Sequence, residues 1–176
     1  VLEKNKKLFR VTPLKKCSQN NVNFEFNNVL AVSLFGCALK NAGVGCAFCA
    51  SPCFKGAFFS VSEFVENIKP YAENYKLTLN AGSLMTKKSG YELMRPYVKA
   101  ASRLGFSEIN IELMPSTKKS PQEFLGSIKK DGVSSIQFNL EIWDDSLRKL
   151  MMPYKGNIPR QTYLQYFEKG AKIFGP

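Results

Sequence analysis

Apolar positions along this chain follow two rhythms, and the two alternate. From Val29 a nearly continuous apolar run, Val29-Leu30-Ala31-Val32-Ser33-Leu34-Phe35, stops at Gly36. A run of that length, apolar on both faces, predicts a strand buried in a parallel sheet. Three further strand-like segments follow: Lys76 to Asn80, Glu108 to Leu113, and Ser134 to Glu141. Helical periodicity fills the gaps between them. Ser60 or Ser62 caps a helix with Phe64, Val65, Ile68 and Tyr71 on one face, ended or kinked at Pro70. A second helix is predicted over 89–104, with Leu93, Tyr97 and Ala100 or Ala101 inward, a bend at Pro96, and Gly105 just past its end. Ser120-Pro121 starts a third helix as N-cap and first helical residue, ending near Asp131-Gly132. A short helical piece runs from Ile142 to Met152, with Asp144 and Asp145 in its first turn. The last helix runs from Pro159 to Phe174, with Tyr163, Phe167 and Ile173 along one side.

Strand and helix in alternation imply an α/β fold, with a parallel sheet and right-handed crossovers. About four βα units span 29–176. They are too few to close an eight-stranded barrel, so an open or partial (β/α) TIM-like barrel is expected. Residues 1–28 are polar and rich in Lys and Asn, with short alternating pieces at Leu8–Val11 and Val22–Phe26. They read as an N-terminal extension of short strands or an extended arm. In folds of this kind functional residues gather at the carboxyl ends of the strands. Those ends carry, in order, a cysteine loop; Asn80-Ala81-Gly82-Ser83; Glu112 with Met114; and Asn139 with Glu141.

The cysteine loop changes the picture most. It reads GCALKNAGVGCAFCASPCF and holds Cys37, Cys46, Cys49 and Cys53, four of the five cysteines. A C-x2-C pair such as Cys46 and Cys49 turns back on itself, so both sulfurs can face one metal site. Phe48 stands just before the second thiol. Read from the residues alone, the loop with its four cysteines is a candidate iron–sulfur site. A four-thiolate zinc site drawn from the same cysteines is the alternative, and with the basic charge it would suit a nucleic-acid-binding module. Isolated Cys17 reads as a plain thiol.

Composition narrows the field. The 176 residues carry 25 Lys and Arg against 14 Asp and Glu, a net charge of +11, and no histidine. Without histidine, Ser-His triads, His-bearing zinc sites and the commonest general base are excluded. The lysines are spread in pairs over loops and helix ends, as on a solvated face, so nucleic acid is not the expected partner. No apolar run reaches membrane-spanning length, which predicts a soluble chain without a membrane partner. The first ten residues lack the apolar stretch of a secretory signal, so a reducing, cytoplasmic setting is expected, where clustered thiols bind metal rather than pair. The chain begins with Val and stops after Gly175-Pro176, which reads as a piece of a longer protein.

With these residues in view, the chain resembles the first part of a radical S-adenosylmethionine (SAM) enzyme core, in the biotin-synthase-like branch. Gly45-Cys46-Ala47-Phe48-Cys49 is similar to the second half of that family's three-cysteine motif. The family's usual first cysteine would fall at Ala42, and the nearest upstream cysteine is Cys37, giving C-x8-C-x2-C; Cys46, Cys49 and Cys53 instead give C-x2-C-x3-C. Asn80-Ala81-Gly82-Ser83 resembles the family's glycine-rich segment after the second strand, with Ala81 in place of the first glycine. Asn139-Leu140-Glu141 is similar to its N-L-D segment, and Arg160 opens the last helix where the family has an arginine. The resemblance covers Val29 to Pro176.

What it implies is specific. A 4Fe-4S cluster would be held by Cys37, Cys46 and Cys49, with Cys53 the alternative ligand. SAM would be bound by Gly82, Ser83, Asn139, Glu141 and Arg160, with Phe48 beside the cluster, and cleaved reductively to a 5′-deoxyadenosyl radical that abstracts hydrogen from a small-molecule substrate. Glu112, on the same strand face as Asn110, could bind SAM or substrate. No catalytic side chain beyond the cluster ligands is expected. An external electron donor of the flavodoxin or ferredoxin type is implied, and a missing C-terminal segment or partner chain would cover the sheet edge after the fourth strand. An iron–sulfur protein that only transfers electrons is the remaining alternative.

Overall fold

The computed structural model describes residues 2–3, 6–7, 15–16, 23–26, 28–49, 60–83 and 90–175, the first four segments as backbone only. Leu2–Glu3 (β1) and Lys6–Lys7 (β2) pair antiparallel. A six-stranded sheet then runs in chain order: Lys15–Lys16 (β3), Asn23–Phe26 (β4), Val29–Ser33 (β5), Lys76–Asn80 (β6), Ile109–Leu113 (β7) and Ser135–Phe138 (β8). The first two pairings, β3 with β4 and β4 with β5, are antiparallel. From β5 to β8 every pairing is parallel. Six α-helices accompany the described strands: Ala38–Asn41 (α1), Val61–Ile68 (α2), Tyr91–Arg103 (α3), Pro121–Lys130 (α4), Asp145–Met151 (α5) and Arg160–Phe174 (α6). The alternation of rhythms thus gives an α/β fold with a four-stranded parallel sheet. Residues 23–26, read as part of an extension, are hydrogen-bonded to its edge.

The register decides what each face of the sheet presents. Leu30 lies opposite Leu77, and Leu77 opposite Ile109; Val32, Leu79, Ile111 and Ile136 form the next row. Leu30, Leu77, Leu79 and Ile111 are wholly buried, packed with Phe64 and Ile68 of α2, Met94 and Val98 of α3, and Phe124 and Leu125 of α4. The opposite face is different. Ala31, Thr78, Asn110 and Ser135 make one row, and Ser33, Asn80, Glu112 and Gln137 the next. The expectation of a first strand buried on both faces is therefore corrected: Val29, Ala31 and Ser33 are only half-buried, because they stand in these partly solvated rows.

Helix ends follow local chemistry. Ser60 and Ser120 each accept a hydrogen bond from the backbone of Glu63 and Glu123, whose carboxylates reach back to the serine N–H. Each such reciprocal cap satisfies two donors that the first turn would leave open. Asp144 caps α5 in the simpler way. Two helix faces agree with their sequence reading at Tyr97, Ala101 and Tyr163 and differ at Leu93 and Phe167. In α3 the buried residues are Tyr91, Met94, Tyr97, Val98 and Ala101, while Leu93 is exposed. In α6 they are Tyr163, Tyr166 and Gly170, with Phe167 partly exposed. In both, tyrosines take core positions with their hydroxyls partnered or at the rim: Tyr166 donates to the Ser116 carbonyl oxygen at 3.2 Å.

One polar contact ties two helices together. Asp131, buried at the end of α4, accepts from Arg95 Nε at 2.7 Å, Arg95 Nη2 at 3.1 Å and the Tyr91 hydroxyl at 2.7 Å. Burial alone would raise its pKa, but the bonds from Arg95 and Tyr91 outweigh this and hold the carboxyl below its ordinary value. Asp131→Asn is expected to cost about 1.5–3 kcal/mol near neutral pH, the range for hydrogen bonds to a charged group. A folded-state pKa below the unfolded one gives stability that is present above the ordinary carboxylate range and lost as pH falls through the folded value. Urea melts of both proteins should therefore show a gap at neutral pH that closes in acid. A gap that persists unchanged in acid would contradict this account.

Candidate functional site

Beyond the last residue of each parallel strand the chain turns onto one cleft. Its lining draws on every strand end: Cys37, Lys40, Cys46, Phe48 and Cys49 after β5; Asn80, Gly82 and Ser83 after β6; Glu112, Leu113 and Met114 at β7; Asn139 and Glu141 after β8, with Lys155 from the loop beyond. The cleft has a volume of about 200 Å³. Of the residues singled out from sequence, it brings together Cys37, Cys46, Cys49, Phe48, Gly82, Ser83, Glu112, Asn139 and Glu141. Arg160 does not line it. Its guanidinium lies over the Trp143 ring, 4.6 Å from the centroid, and donates to the Trp143 carbonyl oxygen at 2.9 Å. Cys53 and Cys17 lie outside the described residues.

The two halves of the cleft are joined by backbone. Ala38 N–H donates to the Ser83 carbonyl oxygen at 3.0 Å, and Leu34 N–H to that of Asn80 at 2.8 Å. The turn at 81–83 consequently presses on Gly36 and Cys37. Gly82 has φ +60°, and a Cβ there would stand 3.0 Å from the Gly36 oxygen and 3.2 Å from Cys37 Cα. Both the left-handed backbone and the close approach call for glycine. The Cys46–Cys49 turn closes with a bond from Cys49 N–H to the Cys46 oxygen at 3.2 Å, and Ala47 N–H donates to Met151 at the end of α5 at 2.8 Å. The C-x2-C turn is thus held from the opposite side of the cleft.

Asn80, Ser83, Asn139 and Glu141 each meet another side chain. Asn80 donates to Glu112, its neighbour across the strands, and accepts from Gly82 N–H at 2.6 Å. Ser83 Oγ lies 3.4 Å from Met114 Sδ. Gln137 donates to Asn139 at 2.9 Å. Lys155, largely buried, reaches Glu141 Oε1 at 3.5 Å. The sequence predicts a strand that runs on to Glu141, which by alternation would put Asn139 and Glu141 on one face. The strand instead ends at Phe138, and Glu141 has φ +67°, so period-two alternation does not apply beyond it. A turn, with Ile142 N–H bonded to the Leu140 oxygen at 2.8 Å, brings both residues to the cleft.

The thiols feel one another. Burial pushes the Cys46 thiol above its ordinary value; Lys155 opposes this, while Cys49, Cys37 and Glu141 add to it. Tyr163, under the cleft, is pushed up to about 12, chiefly by burial. Among the described residues no three His, Cys, Asp or Glu side chains are grouped so as to hold a single metal ion. Lys40 and Lys155 were not named from the sequence, and Asn80 was named only as the start of the strand-end segment Asn80-Ala81-Gly82-Ser83. Asn80 had a signal, since it opens the polar segment after its strand. Lys155 had none, because it sits in a loop 14 residues from its partner.

The architecture and cleft define an α/β protein with a polar, cysteine-bearing site at the carboxyl edge of a parallel sheet. Compared with models of known protein families, with curated proteins and with solved structures, the chain matches none. No helix among the described residues is long and apolar enough to cross a membrane.

Gly82→Ala is expected to cost at least about 1–2 kcal/mol from the left-handed backbone alone, and more from the contact with Gly36. Chemical denaturation measures it. A loss as small as that of an exposed Gly→Ala change elsewhere would show that the 81–83 turn can relax away from the cysteine loop.

Proposed function

We propose that this chain is the core, or the first part of the core, of a radical SAM enzyme, with a 4Fe-4S cluster held by Cys37, Cys46 and Cys49 in the cleft. The observation that carries the reading is that three cysteines from one loop and polar residues from the next three strand ends line a single cleft. Three thiols that line one cleft match in kind and number the ligands of a four-iron cluster that keeps one iron free of protein. The fold adds support. Parallel strands in unbroken chain order match the winding of a barrel, whereas a doubly wound sheet reverses its order at a switch point. The finer reading of the fold is therefore a partial (β/α) barrel with its polar rows facing inward.

The cluster, when bound, supplies an electron and an iron free of protein ligands, through which SAM is cleaved to a 5′-deoxyadenosyl radical that takes hydrogen from the substrate. The chain's own residues bind and orient. Glu141, anchored by Lys155, presents a carboxylate to the hydroxyls of a ribose. Glu112, braced by Asn80, offers a second acceptor toward SAM or substrate. Gly82 lets the backbone come close, and Ser83 and Asn139 add a hydroxyl and an amide. Phe48, half exposed, gives the cleft an aromatic wall. A small-molecule substrate, an external electron donor of the flavodoxin or ferredoxin type and a reducing compartment such as the cytoplasm belong to this reading, as does a further segment or partner chain along the open edge of β8.

Anaerobic reconstitution with iron and sulfide is expected to give the brown colour and visible absorption of an iron–sulfur cluster. SAM and a reductant should then yield 5′-deoxyadenosine. A cluster that forms without SAM cleavage would make the chain an electron carrier, and bound zinc without sulfide would overturn the reading altogether. Cys46→Ala and Cys49→Ala should each abolish both signals, while Cys17→Ala leaves both intact. Glu141→Gln should weaken SAM binding about tenfold, the loss expected for about 1.4 kcal/mol, with cluster content unchanged; equal loss of both would assign Glu141 a structural role.

A further inference from the structure

Lysines and carboxylates line the cysteine cleft as Lys40, Lys155, Glu112 and Glu141. Three of them are already engaged. Lys155 reaches Glu141 Oε1 at 3.5 Å, and Glu112 accepts from the Asn80 amide. Lys40 differs: no hydrogen bond or ion pair joins its ammonium to another described residue. We propose, resting on the radical SAM reading above, that Lys40 is the cation that binds the carboxylate of SAM.

The cysteine loop holds Lys40 from both sides. It belongs to α1, between Cys37 and Cys46 in the chain. Its N–H donates to the Cys37 carbonyl oxygen at 3.2 Å, and its own carbonyl oxygen accepts from Gly43 N–H at 3.1 Å. Its stem lies against Gly45, where a Cβ would stand 2.8 Å from Lys40 Cγ and 3.3 Å from Lys40 Cα. The missing side chain before Cys46 thus leaves the room that the lysine stem fills. Lys40 is half-buried, with its stem packed and its charge toward the cleft. Part of the side-chain freedom that a solvated lysine would lose on binding is already lost.

Charge then selects the ligand group. The methionine end of SAM carries a sulfonium, an ammonium and a carboxylate. Glu112 and Glu141 suit cations and hydroxyls and repel a carboxylate, and Lys155 is turned to Glu141. Reductive cleavage takes place at the sulfonium, so the methionine end belongs on the cysteine side of the cleft, where Lys40 stands. An ammonium meets a carboxylate as a point charge, and its removal takes away one charge-assisted hydrogen bond.

Binding is read without turnover, by calorimetric titration of the reconstituted, unreduced protein and of the cluster-free chain. The ligands are SAM and decarboxylated SAM, which differ by the carboxylate alone. The wild-type protein should prefer SAM by about tenfold or more, the scale of one charge-assisted hydrogen bond. Lys40→Met keeps the stem and removes the charge; Lys40→Gln does the same with a polar end. Each should erase the preference by weakening SAM, with the decarboxylated analogue bound at least as well as before and iron and sulfide content unchanged. Lys149→Gln, an equal loss of charge on an exposed residue outside the cleft, should leave the preference intact. Equal wild-type affinity for the two ligands overturns the proposal, as does a preference that survives both Lys40 variants. A preference lost equally in Lys149→Gln would trace to net charge and overturns it too, and cluster loss in the Lys40 variants would give Lys40 a structural role instead. A wild-type protein that binds SAM in neither form refutes the radical SAM reading itself, and this assignment with it.

Discussion

The in-register alignment of four parallel strands underlies everything at the cleft. Because side chains alternate, one register puts Leu30, Leu77 and Ile109 under the helices and, on the other face, Ser33, Asn80, Glu112 and Gln137 in one row. A slip of one residue in β7 would send Ile109 and Ile111 to the cleft face and Glu112 into the core. The burial of the aliphatic rows thus fixes where the polar row lies. The bond from Asn80 to Glu112 then locks two strands at their carboxyl ends, where the loops begin.

From that edge the loops are held by backbone more than by side chains. The cysteine loop is stitched to the 81–83 turn through Ala38 and Ser83, and to the end of α5 through Ala47 and Met151. Bonds of this kind do not depend on side-chain identity, so the loop can spend its side chains on chemistry. Three thiols, an exposed phenylalanine and a lysine face the cleft, while two glycines, Gly36 and Gly82, meet where the strands' continuations cross.

Several ion pairs have one member buried, beside others that lie wholly on the surface. Lys155 is mostly covered and Glu141 more open; Asp131 is buried and Arg95 half exposed; Arg148 is buried and Asp145 half exposed. Ion pairs of this form cost desolvation on one side only, and their worth lies in orientation more than in stability. At Glu141 the pairing aims a carboxylate at the cleft. At Arg148 it leaves Nε and Nη1 without a hydrogen-bond partner among the described residues. Around the cleft two lysines, Lys40 and Lys155, stand with two carboxylates, Glu112 and Glu141.

The chain's own pattern determined the succession of strands and helices, the serine caps at Ser60 and Ser120, and the strand ends where polar residues cluster, because each rests on interactions within a few residues. The C-x2-C pair was legible for the same reason. Tertiary structure alone decided that Met94 and Tyr166 are buried while Leu93 and Phe167 stay partly exposed, since residues at the border of an amphipathic face can serve either side and packing chooses. It decided that the first parallel strand has one half-solvated face, because a strand's own residues do not say what lies opposite them. It also put Lys155 into the cleft and Arg160 outside it, where Trp143 holds it. Those placements depend on the path of the loop after β8, which left-handed Glu141 and close-packed Gly156 bend by contacts with residues remote from them in the chain.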